Sequence, residues 1–183
     1  MKRKTAKEIL VESFRELAQV KPIDKITVKD ICANCAYSSA TFYRSFHDKY
    51  DLIAWDYSRD IERLLKDVGS DYTAWKEALK QAAHYYDAQK EYLSNLLRHT
   101  EGYDSFVRYM IEIHFGSFRN TVLKAVGAPT DETLEHYIRI YVNGTVTFTC
   151  EWLLGVHTLG VEQLAEIYEN SLPEILRVKL TGQ

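Results

Sequence analysis

Apolar residues recur every three or four positions along most of the chain, which is the spacing of helices that are buried on one face. Glycines and prolines are few, 8 and 3 in 183 residues. The pattern predicts an all-α protein of about nine helices. These helices cover residues 3–20, two short segments within 27–47, and then 48–68, 73–87, 89–99, 103–126, 131–154 and about 161–172.

The stretch from Thr145 to Trp152 fits two kinds of element. Polar and apolar residues alternate there, and its valine, threonines and aromatic residues favour strands. The apolar residues between Tyr137 and Trp152 also fit a helix, and a single strand in a helical chain would have no partner. We therefore predict a helix, in which Gly144 lets another helix approach closely. Pro173 ends the following helix or starts a short terminal turn.

Two short helices joined by a tight turn are predicted between Thr27 and Asp48. Thr27 and Ser38 have side chains suited to capping their N-termini. The second short helix buries Phe42 and Phe46 and exposes hydroxyl groups and a guanidinium. Ser and Thr are mediocre helix formers, but hydroxyls contact phosphates and Arg reads guanine. This face, on Ser39, Thr41, Tyr43 and Arg44, indicates a helix-turn-helix. The alternative is a helix pair that never contacts DNA.

The segment from Ile31 to Leu52 resembles the DNA-binding signature of the TetR/AcrR family of transcriptional regulators, I-A-x-x-A-G-V-S-x-G-T-L-Y-x-Y-F-x-x-K-x-x-L. Here it reads ICANCAYSSATFYRSFHDKYDL, and spacing and residue type agree over the whole segment. It departs at Ala36 and Ala40, where the family usually has glycine, and at Ser45, where an aromatic residue or histidine is usual. Ala36 then requires a turn that accepts a Cβ.

The resemblance implies an N-terminal helix-turn-helix domain, residues 1–50, and a C-terminal ligand-binding and dimerisation domain, residues 51–183, joined by the connecting helix 48–68. It implies a homodimer on a palindromic operator in double-stranded DNA. Ser39, Thr41 and Arg44 would approach bases, Thr27, Tyr43 and Lys49 would hold phosphates, and Ser38 begins the recognition helix. The last two long helices would pair between subunits, and our candidates for the dimer interface are Phe148, Trp152, Leu164 and Tyr168.

Charge is distributed unevenly along the chain. The net charge is −3, which alone argues against a general nucleic-acid binder. Residues 1–50, however, hold ten Lys and Arg against six Asp and Glu, a net of +4, and the rest carries −7. A basic first quarter on an acidic body is expected of a DNA-reading head with a regulatory body.

The sequence offers little support for metal, cofactor or enzyme chemistry. Cys32 and Cys35 have the spacing of a redox or zinc pair, but no further ligands lie nearby. We interpret them as small core residues. The six histidines have no pair at i, i+4, and no known catalytic motif occurs. No run of apolar residues is long enough for a membrane span, and the N-terminus lacks a signal peptide. We expect a cytoplasmic bacterial protein, nucleoid-associated when bound to DNA.

Tyrosine is the second unusual feature, with 13 residues. Tyrosines between helices give apolar walls with a few polar groups, as in a pocket for an aromatic or amphipathic effector. Helical phase selects Tyr86, Tyr109, His114 and Tyr141 as candidate contacts. For any single tyrosine, the alternative is ordinary packing.

The favoured function is a repressor released from its operator by a small-molecule effector. The alternative is a helical coactivator whose body binds a protein partner. A weak resemblance of the body to regulators of dihydroxyacetone kinase, carried by Glu151-Trp152-Leu153-Leu154-Gly155 and Leu172-Pro173, points to that alternative. A helical enzyme would need a catalytic set that the sequence does not show.

Overall fold

The computed structural model describes residues 4–65, 71–100 and 105–181. Within these ranges the chain forms ten α-helices, one short 3-10 turn at Ile23–Lys25 and no strand. The sequence also predicts that Gly69 ends the helix 48–68 and that Gly102 ends the helix 89–99, and both glycines lie outside the described residues. The helices are α1 Ala6–Ala18, α2 Val28–Asn34, α3 Ser39–Ser45, α4 Lys49–Leu65, α5 Tyr72–Ala88, α6 Lys90–Arg98, α7 Phe106–Val126, α8 Glu132–Leu153, α9 Val161–Asn170 and α10 Glu174–Thr181.

The all-α prediction is confirmed, and the count of about nine is corrected to ten. The extra helix is α10, where we predicted at most a short terminal turn. Pro173 immediately precedes it. Proline is well suited to the start of a helix, because the backbone N–H that it lacks would have no intrahelical partner there. Leu176 and Leu180 are buried, so tertiary packing stabilises a segment that is too short to be helical alone.

Local capping explains where the first helices begin. Thr5 caps α1 and Thr27 caps α2, each in a capping box in which a carboxylate three residues later bonds back to the cap. The two capping boxes determine where α1 and α2 begin, and both helices pack into one small core. This core contains Leu10, Phe14, Ile31, Phe42 and Phe46, all at most 2% exposed.

The body is built around α8, the segment with strand-like alternation. Nine of its residues are buried, against four of α7, which we expected to be central because apolar residues nearly encircle it. The helix packs on α7, while α9 packs on α5. The apolar residues on the other side of α7 are only half-buried, and Arg139 covers the ring of Phe115 at 3.5 Å from its centroid.

A buried polar cluster joins the head to the body, and we call it the Arg15 cluster. The guanidinium of Arg15 in α1 donates to Asp56 at 2.7 Å and Asp60 at 2.5 Å, both in α4. Tyr92 donates to the same oxygen of Asp56 at 3.0 Å, and Tyr85 to that of Asp60 at 3.1 Å. Because α1, α4, α5 and α6 all contribute, the cluster holds the orientation of the head on the body.

Candidate DNA interface and effector cavity

The helix-turn-helix presents α3 as its exposed second helix. Ser38 caps α3 by accepting a hydrogen bond from the backbone N–H of Thr41 at 3.2 Å. Ser39, Tyr43 and Arg44 are exposed, and Thr41 is half-buried. The structure thus places the predicted base-reading residues on one short helix with most of their donors open to solvent. Such a face contacts both base edges and phosphates in the major groove.

The turn before α3 shows how the chain accommodates alanine where the related signature has glycine. Ala36 has φ of +56°, the one positive value among described non-glycine residues. This left-handed conformation costs a residue with a Cβ roughly 1 kcal/mol or more. The backbone N–H of Tyr37 donates to the carbonyl of Cys32 at 2.9 Å, which closes the turn.

Replacing Ala36 with glycine should therefore stabilise the protein. We expect Ala36→Gly to raise the free energy of unfolding by about 1 kcal/mol, since glycine adopts positive φ without steric cost. The entropy that glycine gains in the unfolded chain offsets part of this. Chemical denaturation measures the change, with Ala40→Gly inside α3 as the control that should lose stability. A loss of stability for Ala36→Gly would contradict the strain at this turn.

The predicted phosphate contacts have different outcomes. Thr27 is exposed at the start of α2, where its oxygen accepts from the N–H of Asp30 at 3.2 Å. Its hydroxyl also donates to the Asp30 carboxylate and helps to lower the pKa of that group, so a phosphate would compete with Asp30 for this proton. The prediction that Lys49 holds a phosphate is corrected. Its ammonium donates to the carbonyls of Ile23, Asp24 and Ile26 at 3.0, 3.3 and 3.1 Å, and burial lowers its pKa. All three donors hold α4 to the 3-10 turn, so a phosphate contact would break these bonds.

The body contains a partly open cavity of about 100 Å³ between α4, α5, α7, α8 and α9. Three of the four residues predicted to contact an effector, Tyr86, His114 and Tyr141, line this cavity. Tyr109 is half-buried and does not line the cavity. The prediction that it contacts an effector is therefore corrected. Helical phase misplaced it because α7 is apolar on more than one side.

A hydrogen-bonded group at one end of the cavity includes a residue that sequence reasoning missed. The Nε2 of His114 lies 2.7 Å from the hydroxyl of Tyr57 and 2.8 Å from that of Tyr86. Burial lowers the pKa of His114 to about 4 and raises the pKa of both tyrosines. All three groups are therefore neutral at pH 7. Tyr57 belongs to α4, and its apolar spacing with Ile53 and Ile61 was the available signal.

The predicted dimer-interface residues lie mostly inside one subunit. Trp152, Leu164 and Tyr168 are at most 3% exposed, and Trp152 donates its indole N–H to the carbonyl of Leu159 at 3.0 Å. These side chains stabilise the subunit interior and offer no surface to a second subunit, which corrects the prediction. Phe148 is half-buried and stacks on His157 with ring centroids 4.5 Å apart.

We find no site for redox or metal chemistry in the part of the chain that the structure describes. Cys32 is buried, and Cys35 donates its thiol to the carbonyl of Ile31 at 3.2 Å. Within the described ranges, no group of three His, Cys, Asp or Glu side chains could hold a metal ion. None of the described helices is both long and apolar enough to span a membrane.

An exposed helix-turn-helix on an all-helical body is the architecture of a DNA-binding transcriptional regulator. The comparison of sequences agrees. Residues 10–54, from α1 into α4, match the family of bacterial regulatory proteins called the tetR family. The match covers the helix-turn-helix and the start of α4, so the chain is similar to that family over this segment.

Similar proteins support the fold over nearly its full length. A TetR transcriptional regulator from Rhodococcus sp. RHA1 has a TM-score of 0.69 at 15% identity, covering 97% of this chain and 99% of that one. The dihydroxyacetone kinase operon activator DhaS has 0.63 at 17%, covering 96% of each chain. Thermus thermophilus FadR, a repressor in complex with lauroyl-CoA, has 0.61 at 17%, covering 97% and 94%.

A curated relative has sequence similarity over part of its length. The dhaKLM operon transcriptional activator DhaS of Lactococcus lactis subsp. lactis (strain IL1403) is 25% identical over 99 residues, which are 54% of this chain and 52% of that protein. The chain thus aligns with about half the length of this relative.

Proposed function

We propose that the chain is a homodimeric repressor that binds a palindromic operator through α3 and leaves it when a small molecule fills the body cavity. Residues 1–50 form the DNA-binding domain, and residues 51–183 form the regulatory and dimerisation domain. The FadR neighbour is described as a repressor that holds lauroyl-CoA, which supports a ligand-controlled body of this fold.

One observation carries the proposal: α4 reaches from the recognition helix to the cavity. Its N-terminus follows α3, with Asp48 capping it by accepting from the N–H groups of Tyr50 and Asp51 at 2.9 and 2.8 Å. Near its other end, Ile61 and Leu64 line the cavity. A ligand that displaces these side chains shifts the helix that holds the head. The ligand must bind more tightly in the conformation that fits DNA poorly.

Release by a ligand is tested with a DNA site selected from random sequence. A small-molecule screen by thermal shift finds stabilising compounds, and each is titrated into the protein–DNA complex. Coupling of about 1–3 kcal/mol is typical, so operator affinity should fall roughly 5- to 150-fold. Leu64→Trp, which fills the cavity, should remove the response. Compounds that stabilise the protein and leave operator affinity unchanged would contradict the proposal.

Arg44 is expected to read a base. Its side chain is exposed, and the hydrogen bond it makes within the described residues, to Thr41 Oγ1 at 3.3 Å, is weak. Arg44→Ala should cost about 1–3 kcal/mol on the selected site and relax the preference at one position of each half-site. Arg98→Ala, an exposed arginine on α6, is the matched control and should bind like the wild type. Unchanged preference in Arg44→Ala would remove it from the interface.

The dimer interface is better placed on the exposed face of α8. Ile140 is 70% exposed and Tyr137 40% exposed on the same side of the helix. One turn further on, a Cβ added to Gly144 would meet no atom within 4 Å in the subunit, so a second helix can approach there. Two heads are needed because one recognition helix reads few bases, and half-sites about 34–36 Å apart match two-fold symmetry.

A charge on this face should break the dimer. We expect Ile140→Arg to be monomeric by light scattering at micromolar concentration, because two buried guanidiniums would face each other without partners. Val178→Arg, on an exposed apolar position of α10, should stay dimeric. A dimeric Ile140→Arg would place the interface elsewhere.

A second candidate function is activation with a protein partner. The curated relative is called a transcriptional activator, and Val156 in the turn after α8 is 66% exposed. If no small molecule changes operator binding while a co-purifying protein does, this candidate replaces release by a ligand.

A further inference from the structure

The cavity described above has no formal charge in its lining. Among the described residues that line it, none is Asp, Glu, Lys or Arg. The one titratable base is His114, which is neutral at pH 7 because burial lowers its pKa. Placing an ion in such a site costs several kcal/mol without a counter-charge. Carboxylates, phosphates and ammonium ions are therefore excluded as the group that the cavity encloses.

The hydroxyl groups of the lining donate their protons to the protein itself. Thr121 donates to the carbonyl of Ser117 at 3.3 Å, and Thr145 to that of Tyr141 at 2.9 Å. Thr149 donates to the carbonyl of Thr145 at 2.7 Å. The hydroxyl of Tyr141 donates to the carbonyl of Tyr168 at 2.8 Å. A hydroxyl has one proton and two lone pairs, so each of these groups keeps acceptor capacity.

The remaining hydroxyl groups also have partners within the protein, with one exception. Because the proton of Thr149 is used, the hydroxyl of Tyr168 at 2.5 Å is the donor in that pair. Tyr86 shares its hydroxyl with Nε2 of His114. Ser117 has no partner for its hydroxyl among the described contacts and can turn either way. The hydroxyl groups of the lining, taken together, accept hydrogen bonds more readily than they donate them.

Size and shape narrow the ligand further. Three lining rings, on Trp75, Phe118 and Tyr141, lie 5.3 to 6.2 Å apart between centroids. The volume of about 100 Å³ is comparable to an apolar cavity of roughly 150 Å³ that takes up benzene. At this spacing the three rings pack directly on one another and form one aromatic wall, on which a flat apolar group can pack.

We propose that the cavity binds a small neutral molecule of about one ring that carries a hydroxyl group, an alcohol or a phenol. The hydroxyl donates to the lone pairs of the threonine and tyrosine oxygens, and the ring packs on the aromatic wall. This inference deepens the proposed function and rests on it for the regulatory consequence, while binding itself can be measured without DNA.

The test uses four probes of similar size on the full chain: 1-phenylethanol, acetophenone, benzoate and benzylamine. Ligand-observed NMR gives their dissociation constants. We expect 1-phenylethanol to bind about tenfold more tightly than acetophenone, which lacks only the donor, because an unpaired polar group costs about 1–3 kcal/mol. Benzoate and benzylamine should not bind at the same concentrations. Equal binding of the ketone, binding of either ion, or no binding of the alcohol would overturn the proposal.

Shape-conserving variants locate the site. Thr145→Val removes a lining oxygen and keeps the β-branched shape, so it should weaken 1-phenylethanol about tenfold. Thr147→Val, exposed on the same helix, should have no effect. Tyr86→Phe is a second test that does not alter α8. If neither Thr145→Val nor Tyr86→Phe changes alcohol binding, the donor assignment is wrong.

Operator binding distinguishes a failure of the proposed ligand class from a failure of the proposed function. The wild type on its selected DNA site reports on the proposed function without any probe. If the site binds and the alcohol does not, the ligand class fails while DNA recognition stands. If the alcohol binds and no DNA site is selected, the cavity chemistry stands and the regulatory role fails.

Discussion

Replacing Arg15 with methionine should cost about 3–5 kcal/mol of the free energy of unfolding, a large part of the stability of a chain this size. The substitution keeps most of the apolar stem and removes the guanidinium that bridges Asp56 and Asp60. These carboxylates are 1% and 8% exposed and would be left buried without their main counter-ion. Chemical denaturation followed by circular dichroism measures the loss.

Two further variants distinguish a lost ion pair from lost packing. In the Arg15→Met background, Asp56→Asn and Asp60→Asn together should recover most of the stability, because a buried ionic group can be replaced by neutral groups at little net cost. Arg63→Met removes an exposed guanidinium 3.6 Å from Asp60 and should cost less than about 1 kcal/mol. If Arg15→Met is no more harmful than Arg63→Met, the Arg15 cluster does not hold the head to the body.

The second large effect is a loss of stability on acidification that depends on His114. Burial lowers the pKa of this histidine to about 4, while in the unfolded chain it is about 6.5. Between these values the unfolded chain binds the proton and the folded one does not. Stability from His114 is therefore complete above about pH 6.5 and is lost as the pH falls towards 4. The loss is roughly 3 kcal/mol, at about 1.4 kcal/mol per pH unit.

His114→Gln isolates this contribution from that of the carboxylates, which also titrate at low pH. The variant keeps a neutral hydrogen-bonding group beside Tyr57 and Tyr86 but cannot take up the proton. Its unfolding free energy should fall less steeply than that of the wild type between pH 6.5 and 4. His136→Gln, on an exposed position of α8, should follow the wild type. Parallel curves for wild type and His114→Gln would show that the histidine is not buried in neutral form.

The elements most accessible to sequence reasoning are those determined by neighbours in the chain. The recognition helix was predicted with its cap at Ser38 and its buried Phe42 and Phe46, because capping and helical spacing are local. The same reasoning preferred a helix for α8 over a strand, which is confirmed. The conformation at Ala36 differs from the prediction: the sequence indicated a turn that accepts a Cβ, whereas the backbone adopts a positive φ that disfavours one.

Contacts between distant residues could not be predicted in this way. Arg15 bonds to partners 41, 45 and 74 positions away, and Tyr57 to His114 57 positions away. Lys49 was expected to bind phosphate, whereas carbonyls 23 to 26 positions earlier use its donors. Each of these partners is determined by how helices pack, which a one-dimensional pattern does not specify.

For the dimer interface, periodicity alone did not identify which side of a helix is exposed. Helix α8 has apolar residues on two sides, with Trp152 buried in the subunit and Ile140 exposed. The periodicity identifies both sides as apolar but does not say which one faces the same chain. We chose residues of the inner side, and the exposed side became apparent only from the packing of α8 on α7.

Selecting binding sites from random double-stranded DNA with the wild-type protein tests whether two copies of α3 read a palindromic DNA site. We expect an enriched palindrome with half-site centres about one helical turn apart, and an affinity that falls steeply as salt rises, because several phosphates are contacted. Enrichment of no sequence, or equal affinity for the enriched and random DNA at every salt concentration, would contradict it.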